Sequence, residues 1–252
     1  MQNWRRTATR AGVWLLLVLA GCGDEADDEL RLWTIDTASQ TLLALTPGSQ
    51  GCDDFGYQDR QVVCLAVTGS ELMYAIDQVS HELVRLHPWG GGSSRIGDVV
   101  AVDVPQSLAL SWDGSLFLLD NNRSLVRLNR ETAARVQEWI LPGGLYASLC
   151  FSPVSFESPT RVQVSEGDLL ALRQEAGNSW LIRMGRSGSS VIVEDLARLV
   201  PLQSLCASSQ DGRFYALDGS RTVQVLDPSS GTLSPLYTAD CALESAGPLT
   251  AP

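Results

Sequence analysis

The chain has 252 residues, 29 acids against 18 basic residues and a formal net charge of −11. Every basic residue is an arginine, so Schiff-base lysine chemistry and the phosphate-gripping lysine of a P-loop are excluded. His81 and His87 are the only two histidines, which excludes a multi-histidine metal centre, and the acidic balance disfavours nucleic acid, whose phosphates need cationic neutralisation.

The N-terminus changes character abruptly. Arg5, Arg6 and Arg10 precede an apolar run over residues 11–20. That run is about half the ~20 residues a spanning helix needs, and with its basic flank it predicts a secretory signal over residues 1–21. Leu19-Ala20-Gly21-Cys22 resembles the lipobox of bacterial lipoproteins. The resemblance implies cleavage before Cys22, a diacylglycerol on its thiol and acylation of the new amine. Acyl chains contribute about 0.8 kcal/mol per buried methylene, so two or more hold stably. Gly23, rather than aspartate, follows the cysteine, and the resemblance therefore implies the outer membrane more than the inner. Residues 22–29, with acids at 24, 25, 27, 28 and 29, cannot bury a core and read as a solvated tether. The mature chain keeps 15 arginines against 29 acids, which also argues against lying flat on an anionic bilayer.

From Leu30 onward a pattern repeats. "WTID" (33–36), "YAID" (74–77), "FLLD" (117–120) and "YALD" (215–218) each precede a polar turn and a second apolar segment: "LLAL" (42–45), "LVRL" (83–86), "LVRL" (125–128) and "VQVL" (223–226). A fifth pair, "LLALR" (169–173) and "LIRM" (181–184), lacks the aromatic and the aspartate. The second segments end 41, 42, 56 and 42 residues apart. A further strand precedes most pairs: "VVCLAV" (62–67), "SLALS" (107–111), "SLCFS" (148–152) and "SLCASS" (204–209). "WDGS" (112–115) and "QDGR" (210–213) supply Asp-Gly hairpin turns. "NRETAARVQEWIL" (129–141) fits a turn plus an outer strand better than a helix.

Short strands at a period near 42, joined by hairpins, predict an all-β propeller over residues 30–252. The stretch 104–129 resembles the NHL repeat and the related YVTN-like propeller repeats of bacterial surface proteins, through Pro105, Asp113-Gly114, the strand 116–119, Asp120, Asn122 and "LVRL". Five strand pairs predict five blades, with six as the alternative count. The first pair has no inner strand before it, so the C-terminal strand is expected to close the ring. Blade four carries about 14 extra residues near 154–168, read as an extended hairpin or an extra strand.

Asp36, Asp77, Asp120 and Asp218 recur at strand ends, where a side-chain oxygen caps the next turn. They read as architecture rather than as a ring of ligands. The segment 51–64 reads as a loop between blades one and two. Its Asp53, Asp54, Phe55, Tyr57, Asp59 and Arg60 are the candidate ligand-binding residues, suited to a basic peptide or a cation, though without EF-hand spacing. No catalytic motif occurs: there is no G-x-S-x-G elbow and no H-E-x-x-H. No cofactor is expected, with Ca²⁺ or another divalent cation as the alternative.

Five cysteines follow Cys22: Cys52, Cys64, Cys150, Cys206 and Cys241. An oxidising compartment favours disulfides. Cys52–Cys64 is the first expected pairing, and Cys206 with Cys150 or Cys241 the next. Cys64, Cys150 and Cys206 are read at one shared repeat position. The function expected is that of a lipid-anchored envelope propeller that binds a protein, a peptide or another surface ligand. The alternative is a lactonase-type hydrolase or lyase with a divalent cation in the channel.

Overall fold

In the computed structural model the described residues are 30–36, 38–47, 52–57, 59–67, 72–87, 92–99, 102–120 and 123–239. They contain strands and no helix. Cys22, the tether, Cys241 and the segment expected to close the ring lie outside them.

The described strands fall into five antiparallel groups in chain order, the third and fourth joined by one parallel pairing into a sheet of eight strands. The first holds β1 (Leu32–Asp36), β2 (Thr41–Leu45) and β3 (Cys52–Tyr57). The second holds β4 (Val62–Val67), β5 (Met73–Asp77), β6 (Glu82–Leu86) and β7 (Ser93–Asp98), and the third β8 (Pro105–Leu110), β9 (Leu116–Asp120), β10 (Ser124–Leu128) and β11 (Arg135–Ile140). In the fourth, β12 (Leu145–Phe151) is separated by a small ladder of β13 (Phe156–Glu157) and β14 (Gln163–Val164) from β15 (Leu169–Glu175), β16 (Asn178–Ser187) and β17 (Ser190–Leu199). The fifth holds β18 (Ser204–Ala207), β19 (Phe214–Leu217), β20 (Thr222–Asp227) and β21 (Thr232–Thr238). The extra residues of blade four are thus an inserted two-stranded hairpin, docked by an edge-on contact of Phe156 with Phe214 at 6.0 Å and by Thr160 Oγ1, which donates to Asp195 O.

The first described strands of successive sheets stand side by side, β1 by β4, β4 by β8, β8 by β12 and β12 by β18. The core lies between the sheets. Trp33 and Ile35 of the first pack with Leu65 and Met73 of the second. Similar clusters join second to third, third to fourth and fourth to fifth. A fifth cluster returns from Tyr215, Leu217 and Tyr237 to Leu32, Leu43 and Leu45 of the first sheet. Successive strand groups packed face to face in a cycle are a β-propeller. Middle strands are covered on both sides, which is why "MYAID" and "LFLLD" are apolar without alternation and wholly buried. Outer strands such as "RVQEWI" are mostly exposed.

Two recurrent polar devices fix the geometry. Asp36, Asp77 and Asp218 accept the N–H groups of their own turns, from Ala38 at 3.0 Å, Val79 at 2.9 Å and Ser220 at 2.8 Å. Asp120 instead holds the entry to β8, through Val104 N–H at 2.8 Å and Asp103 N–H at 3.1 Å. The second device links neighbouring inner strands. Leu149 N–H donates to Ser107 Oγ at 2.9 Å, and Leu205 N–H to Ser148 Oγ at 3.1 Å, both buried.

Candidate functional site

The segment expected to be a loop is largely a strand. Asp53, Asp54, Phe55 and Tyr57 belong to β3, paired with β2 through Leu45↔Cys52, Ala44↔Asp53, Leu43↔Asp54 and Thr41↔Tyr57. Successive residues of a strand point to opposite faces of its sheet, so the neighbours Asp53 and Asp54 do not share one. Phe55 packs on Trp33, ring centroids 4.8 Å apart, and Asp54 accepts Gly56 N–H at 2.7 Å. Gly56 has φ +87°, which a side chain would oppose.

Asp59 and Arg60 lie beyond the strand and are tied to blade two. Asp59 accepts Ser93 Oγ–H at 2.8 Å. Arg60 pairs with Glu82 and with Asp77 at 3.3 Å, while Arg95 pairs with Glu82 and with Asp98 at 2.8 Å. The hydrogen bond from Arg60 holds the Glu82 carboxyl below the usual range. Burial opposes the charge on Asp77, but the N–H groups of Val79 and Ser80, the Ser80 hydroxyl and Arg60 bring its pKa below the ordinary value. This network locks the chain's entry into blade two.

The cysteine expectations need two corrections. Cys64, Cys150 and Cys206 are free and buried, so Cys52–Cys64 is not a bridge and Cys206 is bridged neither to Cys150 nor to Cys241. Cys52 itself is disulfide-bonded, to a partner outside the described residues. Nor do the three free thiols share a repeat position. Cys64 stands opposite Ile76, matching Ser107 opposite Leu119, Ser148 opposite Leu172 and Ser204 opposite Leu217. Cys150 and Cys206 lie two residues further along, where the other blades have Ala66 and Ala109. Burial pushes the Cys64 and Cys150 thiols up to about 12 and Cys206 well above its usual value, which makes all three poor nucleophiles.

One face of the ring has a different character. At the ends where the inner strands begin, Val79 is 70% exposed, Val104 45%, Leu145 60% and Val200 55%. Register places them together on this face: Val62↔Asp77, Pro105↔Asp120, Leu145↔Gln174 and Ser204↔Leu217 pair the start of each inner strand with the end of its neighbour. Beside Leu145 a cavity of about 270 Å³ is lined also by Gln174, Glu175, Asn178, Ser179, Pro201 and Leu202. It sits at the turn where blade four lacks the capping aspartate. There Ala176 (φ 47°) and Gly177 (φ 77°) make a two-residue hairpin with positive φ at both positions. The polar lining is already engaged: Gln174 Nε2 donates to Leu202 O, and Ser179 Oγ accepts Leu202 N–H.

Among the described residues no group of three or more His, Cys, Asp or Glu is arranged to hold a metal ion. What this face offers is apolar contact area. Sequence reasoning missed Val79, Val104, Leu145 and Val200, because single aliphatic residues beside strands carry no mark that separates exposed from buried. On the opposite face Trp112, in the Asp113–Gly114 turn, is also largely exposed and lies against Gly167.

No protein-family model and no characterised protein matches the sequence. Solved structures do. A chain of a nidogen/laminin complex is 15% identical over 88% of this chain and 81% of that one, with a TM-score of 0.55. A gluconolactonase from Xanthomonas campestris is 14% identical over 84% and 77%, with a TM-score of 0.52. A protein of unknown function from Bacteroides caccae is 9% identical over 88% and 98%, with a TM-score of 0.51. Likeness at these identities is likeness of fold.

Proposed function

We propose that this is an envelope-anchored propeller that binds a protein or peptide at the face carrying Val79, Val104, Leu145 and Val200. The observation behind the reading is the placement of those side chains: all four are exposed on the face where inner strands begin, three of them at the strand entrances, and Leu145 lines the cavity there. Apolar side chains exposed on one face of a domain are a mark of interaction surfaces. The carboxylates nearby are engaged elsewhere, Asp77, Asp120 and Asp218 with backbone N–H groups and Glu82 with arginines. Anchoring rests on the lipobox-like Leu19-Ala20-Gly21-Cys22. Cys22→Ser is expected to release the protein from membranes, and a mutant still processed and membrane-bound through its N-terminus would refute it.

A photo-crosslinking residue at Leu145, compared with one at Val136 on an outer strand, tests the binding face in intact cells. The reading expects a discrete adduct from position 145 and none from 136. Equal labelling, or none, counts against it. Hydrolysis of a lactone by the purified domain, dependent on an added divalent cation, would replace it with the lactonase-type alternative.

A further inference from the structure

We infer that the cavity beside Leu145 takes one apolar side chain of a peptide segment whose neighbouring residues are cationic. This deepens the binding face proposed above and rests on it. Size, polar bonding and charge all point to that occupant.

The cavity holds about 270 Å³. Pockets that enclose a whole small molecule run from roughly 300 to 1,000 Å³. A space below that range suits a single anchoring side chain, the usual centre of a peptide or protein contact. Two exposed aliphatic groups flank it, Leu145 in its lining and Val200 next to the lining residue Pro201.

The polar groups of the lining are bonded to the protein's own backbone. Gln174 Nε2 donates to Leu202 O at 3.2 Å, Ser179 Oγ accepts Leu202 N–H at 2.9 Å, and Asn178 Nδ2 donates to Ala176 O at 3.3 Å. An apolar occupant leaves these bonds in place. A polar one would have to compete with them or go without partners, which costs free energy.

Among the described residues that line the cavity, Glu175 alone is charged. Its side chain is largely exposed, and its ion pair is the looser of two made by one guanidinium: Arg173 Nη2 stands 3.5 Å from Glu175 and 2.9 Å from Asp195. Glu175 therefore keeps negative charge beside the cavity. A cation flanking the anchor would meet that charge, and an acid would be repelled by it. The formal net charge of −11 attracts the same partner at longer range.

The test titrates capped nine-residue peptides into the full chain in zwitterionic micelles and follows the amides of Gly177 and Leu202 by NMR. One peptide carries a leucine between two arginines in a Gly-Ser background. The second has alanine for the leucine, and the third has glutamates for the arginines. The first is expected to bind about tenfold more tightly than the second, the worth of the extra buried apolar area, and more tightly than the third. Glu175→Gln should weaken the first peptide about threefold, the scale of an exposed ion pair. Glu166→Gln, at an exposed acid on the opposite face, removes the same charge and should change nothing. An alanine peptide that binds as well as the leucine one overturns the proposal. So does a glutamate peptide that binds as well as the arginine one, equal loss from the two Gln variants, or no shift from any peptide at millimolar concentration. A photo-crosslinked adduct from position 145 would in each of those cases leave the binding face standing, and loss of that adduct as well would remove both.

Discussion

The junction of blades three and four and the junction of blades five and one are built from the same repeat but held in different ways. The first is stitched. β16 and β17 run ten residues each, and their hairpin overhangs blade three. Ile140 pairs with Ser190, and Ile140 N–H donates to Ser189 O at 2.9 Å, so two sheets become one of eight strands. Arg186 lies over Phe117 at 5.0 Å and Trp139 at 5.7 Å. Among the described residues the second junction has packing between Tyr215, Tyr237 and Leu45 but no shared strand, and the buried hydroxyls of Ser204 and Tyr237 find no partner there. The comparison teaches that a repeat fixes each sheet, while what lies outside the repeat decides how firmly neighbours are joined.

The largest expected effect comes from unpicking the stitched side. Trp139→Ala removes a buried ring and the platform for Arg186, and should cost about 3–5 kcal/mol in denaturant unfolding. Arg186→Ala, at an exposed cation, should cost about 0.5–1 kcal/mol. If the two variants cost the same, the clasp and not the packing holds the junction.

Next is the inter-blade bond. Ser148→Ala leaves Leu205 N–H buried without an acceptor and should cost about 1–3 kcal/mol, with the m-value unchanged.

The pH dependence gives a smaller effect. Asp77 and Asp218 have folded pKa values below their unfolded ones, so their stabilisation is present above about pH 4 and is lost as pH falls through the folded values. Asp77→Asn should lower stability at pH 7 and flatten its decline on acidification. An unchanged acid limb in unfolding curves at pH 7 and pH 3 would remove Asp77 from the account.

The smallest effect belongs to the seam. Tyr237→Phe deletes a buried hydroxyl with no partner among the described residues, and should change stability by no more than about 1 kcal/mol, in either direction. A loss comparable to that of Ser148→Ala would mean that the hydroxyl has a partner.

Much of the propeller was legible in the sequence because its middle strands are buried on both sides and so read as aliphatic runs ending in aspartate. The outer strand β3 was not, since "CDDFGY" faces solvent along much of its length and carries a glycine and two acids in place of alternation. The hairpin β13–β14 pairs only two residues with two, too few to leave a period. The cysteine register failed for a local reason. Irregularities between Val62 and Cys64, Pro105 and Ser107, and Tyr146 and Ser148 shift the inner strands at their start, so apparent position along a strand is not position in the sheet. The candidate site was the least legible part. Its contribution is exposure, and Val104 and Leu145 differ from the buried Leu108 and Leu149 only in where the strand begins.

Cys150 and Cys206 sit on neighbouring inner strands as buried, unbonded thiols, in a chain whose N-terminus resembles an export signal. Folded, neither presents a thiolate to an oxidant. Before folding, both do, along with every other cysteine of the emerging polypeptide. The native state is therefore a shelter: a molecule oxidised before it folds can carry a cross-link that the finished ring, with both of these thiols unbonded, does not contain. Rapid closure of blades four and five is, for this chain, protection against its own chemistry.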